Sequence, residues 1–185
     1  QQGQYGETGA TGYKSSFTMS GGDAIGNKAL NDSAYAQAAA LYAIAGKKVA
    51  DLTVQQGYKL DPQGSSQGLA YRNILVGGKL IAGPGDGIMN PQWRGGKDDA
   101  SGAAGYLAKI TGAEIEALAN AIDDSKLNAV IASLKANFGD LADGMQRYMT
   151  AQAVQKDLLA AVMTSDEAEK RKLADANTML VDNFR

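Results

Sequence analysis

The chain has 185 residues, a formal net charge of −2, 44% hydrophobic residues, and neither cysteine nor histidine. The length fits one domain with a core of its own, and the balanced charge differs from that of a nucleic-acid binder. Without cysteine or histidine, the chain cannot form disulfides, thiolate nucleophiles, zinc–thiolate sites or imidazole-based catalytic triads.

Glycine is distributed unevenly, since twenty of the 23 glycines lie in residues 1–105. Within residues 1–23, glycine recurs at every third position from Gly3 to Gly12, but proline is absent, which argues against a collagen helix. We predict that this segment is an extended arm, which either lies across a partner surface or is disordered. The aromatic side chains expected to contact a partner are Tyr5, Tyr13 and Phe17.

The first predicted helix covers residues 33–56. Apolar residues recur at alternating spacings of three and four from Tyr35 to Leu52, which is the spacing of one helix face. The preceding Asn31-Asp32-Ser33 matches both a glycosylation sequon and a helix N-cap. A shorter helix is predicted over 66–77.

A long irregular loop is predicted over residues 78–105, because glycine, proline and asparagine breakers follow one another through it. The loop contains Trp93, which is the single tryptophan of the chain, next to Arg94. Loops of this length often bind partners, so Trp93 and Arg94 are candidate contact residues.

The rest of the chain is typical of amphipathic helices joined by short links. Thr111 and Glu114 form a capping box, and Thr164 and Glu167 offer a second one. Apolar residues at helical spacing predict helices that include 115–122, 127–134 and 140–163. The last predicted helix has one apolar face formed by Leu173, Ala176, Leu180 and Phe184.

Together these elements predict a mainly α protein. Its architecture would be an antiparallel helical bundle with an extended Gly-rich N-terminal arm over 1–23 and a long Gly/Pro-rich loop over 78–105. Residues 24–185 would form a single bundle domain. The longest apolar run spans about 12 residues from Ala34, whereas a membrane-spanning helix needs roughly 20.

No local motif indicates catalysis, a metal site or a cofactor, so we predict that the chain is not an enzyme. Residues 21–28 resemble a phosphate-binding loop, but Asn27 stands where the motif needs lysine. The glycine cluster 83–87 contains a proline and does not match a dinucleotide-binding fingerprint. The pairs Asp98-Asp99 and Asp123-Asp124 are typical of helix starts, with weak calcium binding as the alternative.

Four short segments near the C-terminus carry a resemblance to a known family: 157–162 (DLLAAV), Asp166-Glu167, 170–173 (KRKL), and Leu180 with Asn183. Their order is similar to that in the third and fourth helices of the PsbQ-type extrinsic subunits of photosystem II. Members of that family are four-helix bundles in the thylakoid lumen, which bind the complex and support oxygen evolution without catalysis. The resemblance therefore implies a docking role.

These observations favour a non-catalytic accessory subunit that docks on a larger protein complex without a nucleic acid or a cofactor. Self-association is compatible with them, and two alternatives stay open: a self-assembling extracellular filament or coat subunit, and a small helical pigment- or lipid-binding protein. Because the sequence starts at Gln1 rather than methionine, we expect a processed form. Its location would be an organelle lumen, the thylakoid lumen by resemblance, or the extracellular space.

Overall fold

A computed structural model describes residues 4–17, 24–59, 67–85, 87–97 and 99–162, which form six strands and five α-helices. The strands are β1 Gln4–Gly9, β2 Gly12–Phe17, β3 Leu52–Lys59, β4 Gln67–Val76, β5 Lys79–Ala82 and β6 Trp93–Gly96. The helices are α1 Ala24–Ile44, α2 Ala100–Ala108, α3 Gly112–Ile122, α4 Ser125–Phe138 and α5 Leu141–Val162. A 3₁₀ turn, Gly87–Met89, lies between β5 and β6.

The six-stranded antiparallel sheet contradicts the predicted mainly α fold. Its strand order is β2-β1-β3-β4-β5, and β6 pairs with the first residues of β4. The N-terminal arm predicted over 1–23 is wrong for residues 4–17, since these form the hairpin β1–β2 at one edge of the sheet. Glycine is unusual inside a strand, but the Tyr13 ring occupies the space that a side chain at Gly6 would need.

The helix predicted over 33–56 is wrong in its second half. Helix α1 ends at Ile44, and Gly46 follows with φ 68°, a conformation typical of the residue after a helix. From Leu52 to Gln56, burial alternates with the period of two that marks a strand. The helical spacing of apolar residues therefore continues by coincidence across the end of α1 and into β3.

The helix predicted over 66–77 is strand β4, and the irregular loop predicted over 78–105 contains β5, β6 and most of α2. All residues from Ala70 to Ile74 are buried. A strand covered on both faces lacks the alternation of polar and apolar residues by which strands are recognised. Strands β5 and β6 have four residues each, which is too short to give a pattern.

The two faces of the sheet are covered differently. Helices α1 and α2 pack on one face, which we call the inner face. Side chains on the inner face include Thr8, Val54, Gln56, Arg72 and Ile74. The opposite, outer face carries Tyr5, Glu7, Gln55, Tyr71 and Asn73. There the turn Gly87–Met89 lies against β3 and β4.

Several helix predictions between residues 99 and 162 are confirmed. Thr111 and Glu114 form the capping box at the start of α3. Asp99 and Asp124 accept backbone N–H groups in the first turns of α2 and α4, as expected of acids at helix starts. The bounds of α5 agree with the helix predicted over 140–163.

The chain divides into two compact units, residues 1–123 and 124–185. The first unit contains the sheet with α1–α3, and the second contains α4 and α5. The assignment of residues 24–185 to a single domain stays a prediction, and the last predicted helix lies outside the described residues. Within the described ranges, no helix has the length and apolar character needed to cross a membrane.

The substitution Gly83→Ala tests how closely the chain after β5 approaches β4. Gly83 has φ 117°, and a Cβ atom there would clash with the carbonyl oxygen of Arg72, whereas Gly78 has φ 79° and open space around it. We expect Gly78→Ala to lower the free energy of unfolding by about 1 kcal/mol through backbone strain. Gly83→Ala should cost about 3 kcal/mol, because steric overlap adds to the strain. Equal losses in urea unfolding would contradict the close approach.

Candidate functional site

Arg72 is the centre of a polar cluster on the inner face and has an exposed fraction of 0%. Its Nε and Nη2 atoms donate to the two carboxylate oxygens of Glu114. Nη1 donates to Gln56 Oε1 at 2.9 Å and to the carbonyl oxygen of Tyr106 at 2.7 Å. Nη2 also donates to the carbonyl oxygen of Lys109 at 3.2 Å. These contacts use all five N–H donors of the guanidinium.

Glu114 is also held by its own helix. The backbone N–H of Thr111 donates to Glu114 Oε1 at 2.9 Å, and Thr111 Oγ1 accepts from the backbone N–H of Glu114 at 3.2 Å. The carboxylate that caps α3 is therefore the same group that neutralises Arg72. Removing one partner from a buried ion pair is strongly destabilising, so the sheet and the start of α3 depend on each other.

Tyr106 covers the guanidinium of Arg72, with 4.5 Å between Arg72 Cζ and the ring centroid. This is a cation–π contact. The Tyr106 hydroxyl donates to Gln92 Oε1 at 2.6 Å. The pKa of Tyr106 is raised to about 12, because the effect of burial outweighs the lowering by the charge of Arg72 and the charge of Glu114 adds to the rise. The phenol therefore stays protonated at neutral pH and acts as a hydrogen-bond donor.

The Arg72 cluster connects the sheet to the helices and leaves no guanidinium donor for a ligand. Its acceptors come from β3, from the C-terminal end of α2 and from α3. Among the described residues, no group of three or more aspartates or glutamates could hold a metal ion. The cluster has the properties of a structural connection rather than of a reaction centre.

The Asn31-Asp32-Ser33 motif was predicted to be either a glycosylation sequon or a helix N-cap, and both predictions are wrong. Asn31 lies within α1 and is fully buried. Its Nδ2 atom donates to Thr8 Oγ1 at 3.1 Å and to the carbonyl oxygen of Val54 at 3.0 Å. A buried and hydrogen-bonded amide is not accessible for glycosylation, and Asp32 and Ser33 lie too far inside α1 to be its N-cap.

The outer face presents an aromatic and apolar surface at one end of the strands. Tyr5 and Tyr71 are stacked across Gly57, with 6.3 Å between ring centroids and 21° between ring planes. Tyr71 is buried between Gly57 and Gly87, where added Cβ atoms would meet its ring. Met89 follows Gly87 by two residues and is 77% exposed.

Arg94 extends this surface across β6. It pairs with Leu69 of β4, and its Nη1 atom donates to Gln67 Oε1 at 3.0 Å. Arg94 lies three strand spacings, about 14 Å, across the sheet from Tyr5, and its position is displaced by two residues along the strands. We call the set Tyr5, Tyr71, Met89 and Arg94 the outer patch.

Two of the other three predicted contact residues lie on the inner face. Tyr13 is on the inner face, where its ring lies over Gly6. Trp93 is also on the inner face, and its ring occupies the space beside Gly102 of α2. The backbone of Phe17 pairs with β1, and its side chain is outside the described part of the chain.

A row of polar side chains crosses the outer face beside the outer patch. Gln55 Nε2 donates to Glu7 Oε2 at 2.9 Å, and Asn73 Nδ2 donates to Gln55 Oε1 at 3.4 Å. Asn73 Oδ1 accepts the backbone N–H of Gly85 at 3.0 Å. Because a carboxylate can only accept, Glu7 sets the orientation of both amides. The row therefore connects the hairpin to the loop that carries Met89.

Sequence reasoning missed Tyr71, Met89 and the Arg72–Glu114 pair. Apart from Asn73, Arg72 is the one polar residue between Leu69 and Val76, which is a signal of a buried charge in need of a partner. Its partner is 42 residues away, and local patterns do not show such a contact.

The substitution Glu114→Gln keeps the shape of the cap but removes the charge that neutralises Arg72. We expect it to lower the free energy of unfolding by about 3 kcal/mol, because an uncompensated buried charge remains. Glu116→Gln, at an exposed position of the same helix, is the matched control and should change the free energy by less than about 1 kcal/mol, the upper range for an exposed ionic contact. Denaturant unfolding measures both, and similar losses would contradict the role of the ion pair.

Alkaline pH is expected to destabilise the fold through buried tyrosines. Burial raises the pKa of Tyr42 and of Tyr106 from 10.0 to about 12, and the nearby Asp51 adds to the shift at Tyr42. Between pH 10 and about pH 12, these two tyrosines keep their protons in the folded state but have lost them in the unfolded state. Stability is therefore complete below pH 10 and falls as the pH rises through about 12.

Tyr106→Phe removes one of these titrating groups. We expect the urea midpoint of this variant to fall less between pH 10 and pH 12 than that of the unchanged chain. Tyrosinate absorbance, measured in parallel, reports the ionisation. Identical pH dependence of the two midpoints would show that Tyr106 does not contribute.

Comparisons with protein-family models, with curated proteins and with solved structures each found no match for this chain. Its function must therefore be inferred from its own residues.

Proposed function

We propose that the chain is a non-catalytic accessory subunit that docks on a larger protein assembly through the outer patch. The exposed Met89 beside the stacked Tyr5 and Tyr71 carries this proposal. Helices α1–α3 of the first unit lie on the inner side of the sheet, and in the outer patch Met89 and Arg94 are exposed above the buried Tyr71. Aromatic residues, methionine and arginine are enriched at protein interfaces, and the outer patch contains all three.

The rigidity of this surface supports the proposal. Tyr71 is enclosed between Gly57 and Gly87, and the polar row from Glu7 to Gly85 connects the hairpin to the loop. Binding to a surface that is already ordered loses less conformational entropy than binding to a mobile segment. Such a surface suits a subunit that binds one partner in one orientation.

The buried charged and phenolic side chains interact with other groups inside the fold, which supports a role without catalysis. Arg72 and Glu114 are engaged with each other and with backbone groups. Burial raises the pKa values of Tyr42, Tyr71 and Tyr106, so these phenols stay protonated near neutral pH and cannot accept a proton as general bases. An accessory subunit needs stable geometry rather than titrating groups poised near the working pH.

We propose photosystem II, on its lumenal side, as the assembly. This finer proposal rests on the resemblance of residues 157–183 to the PsbQ-type subunits. Residues 157–162 lie at the end of α5, and residues 163–183 are outside the described part of the chain. The alternative is a self-assembling extracellular subunit, in which a second copy would occupy the outer patch.

Two substitutions in the outer patch test the docking role. Affinity-tagged full-length protein is incubated with solubilised membranes from the native source, and recovered partners are quantified by mass spectrometry. We expect Tyr5→Ala combined with Met89→Glu to reduce partner recovery at least tenfold. Loss of an anchor residue costs about 2 kcal/mol, which exceeds the roughly 1.4 kcal/mol that corresponds to a factor of ten.

Ala132→Glu is the control, because it adds the same charge at an exposed position of α4. Its recovery should match that of the unchanged chain, and all variants must unfold at comparable denaturant concentrations. Unchanged recovery with the double variant would contradict docking through the outer patch. Polymers in sedimentation experiments that the double variant abolishes would identify a second copy as the partner.

A further inference from the structure

The hydrogen bonding of Arg94 on the outer face repeats one part of that of the buried Arg72. The Nη1 atom of Arg94 donates to Gln67 Oε1 at 3.0 Å. The Nη1 atom of Arg72 likewise donates to Gln56 Oε1 at 2.9 Å. The Nε and Nη2 atoms of Arg72 then bind both carboxylate oxygens of Glu114. In Arg94 these two atoms have no acceptor among the described residues.

The edge of a guanidinium formed by Nε and Nη2 matches the shape of a carboxylate. Its two N–H groups are parallel and can bind both oxygens of one carboxylate, which adds geometric specificity to the attraction between the charges. Arg94 is exposed, so this edge is accessible to another molecule. Because Gln67 already holds Nη1, less conformational entropy is lost on binding than with a freely rotating side chain.

Lys59 provides a second positive charge close to Arg94. Both residues pair with Leu69, from opposite sides of strand β4, so the three side chains are neighbours on the outer face. Two strand spacings separate the two cationic residues, which is about 10 Å. Leu69 is half-buried, and the apolar stems of long cationic side chains can cover such a residue while their charged ends stay in water. Two positive charges thus flank one apolar position.

The acidic groups of the described residues do not neutralise these two charges. None of them forms an ion pair with Lys59 or Arg94. Glu7, on the outer face, lies four residue positions along the strands from Lys59, or about 13 Å, which exceeds the screening length of roughly 8 Å at physiological ionic strength. Asp99, which follows β6, accepts a backbone N–H at the start of α2. This end of the outer face is therefore complementary to a negative charge.

We infer that the outer patch binds an acidic side chain of the partner protein, whose carboxylate occupies the Nε–Nη2 edge of Arg94 with Lys59 as a second cation. The same segment of the partner carries an apolar side chain, because Tyr71 lies two residues from Leu69 on the same face and the exposed Met89 belongs to the turn beside it. The inference rests on the proposed docking through the outer patch and specifies the chemistry of the partner's contact segment.

Zero-length cross-linking identifies the group that contacts position 94. A carbodiimide joins a lysine amine to a carboxylate in direct contact, with loss of water, so the test variant is Arg94→Lys. Full-length protein is mixed with solubilised membranes from the native source, cross-linked and digested, and the joined peptides are sequenced by mass spectrometry. We expect amide bonds from residue 94 and from Lys59 to aspartate or glutamate of one other protein. Ala132→Lys, at an exposed position of α4, is the control and should give no cross-link to that protein from residue 132.

Neutralising Arg94 measures the contribution of the carboxylate contact. We expect Arg94→Gln to lower recovery of the cross-linked partner at least about tenfold, as for the loss of one member of a hydrogen-bonded interfacial charge pair. Arg147→Gln is the matched control, since it neutralises an exposed arginine that pairs with Asp143 within α5. Its recovery should equal that of the unchanged chain.

The carboxylate contact and the docking itself give separable results. If Tyr5→Ala with Met89→Glu lowers recovery, but Arg94→Gln does not and residues 59 and 94 form no cross-links, the patch docks without a carboxylate and the inference is wrong. Unchanged recovery with both variants would contradict the docking and the inference together. Binding to vesicles of phosphatidylcholine and phosphatidylglycerol that Arg94→Gln abolishes, without cross-links to a protein, would replace the acidic side chain by a lipid headgroup.

Discussion

One buried charge determines how the first unit is assembled. An arginine inside a sheet is stable only where each of its donors has an acceptor and its charge has a partner. Arg72 obtains these from three elements at once: an amide on β3, carbonyl oxygens at and just after the end of α2, and the capping carboxylate of α3. Neither helix can move away from the sheet without leaving a donor unpaired. The geometry of one guanidinium thus sets the positions of both helix ends.

Strand β4 connects this inner cluster to the outer surface. Successive residues of a strand point to opposite faces, so Arg72 faces the helices while its neighbours Tyr71 and Asn73 face outwards. Tyr71 supports the ring of Tyr5, and Asn73 holds the backbone of Gly85. The constraint on the inner side therefore also fixes the base of the outer patch. A surface positioned by a buried ion pair can be exposed without being mobile.

The sequence predicts helices α3, α4 and α5 well, because their signals are local. The Thr111–Glu114 box and the acid at Asp124 specify helix starts within a few residues. The sheet could not be predicted in this way, since β4 is buried on both faces and shows no alternation. Residue type alone was enough to select Tyr5 and Arg94 as contact candidates. Their common face, and the position of Tyr71 beside Tyr5, follow only from strand pairing between distant residues. The exposed Met89 is placed by the turn that lies against β3 and β4.

The polar row on the outer face has a consequence for the dynamics of the loop after β5. A loop rich in glycine would ordinarily exchange its amide hydrogens with solvent through small local openings. The amide hydrogen of Gly85 is instead bound to Asn73, whose orientation depends through Gln55 on Glu7 in the first strand. Exchange at Gly85 and fraying of the hairpin are therefore expected to occur as one cooperative opening. The N-terminal residues and the loop, although far apart in sequence, would behave as a single folding unit.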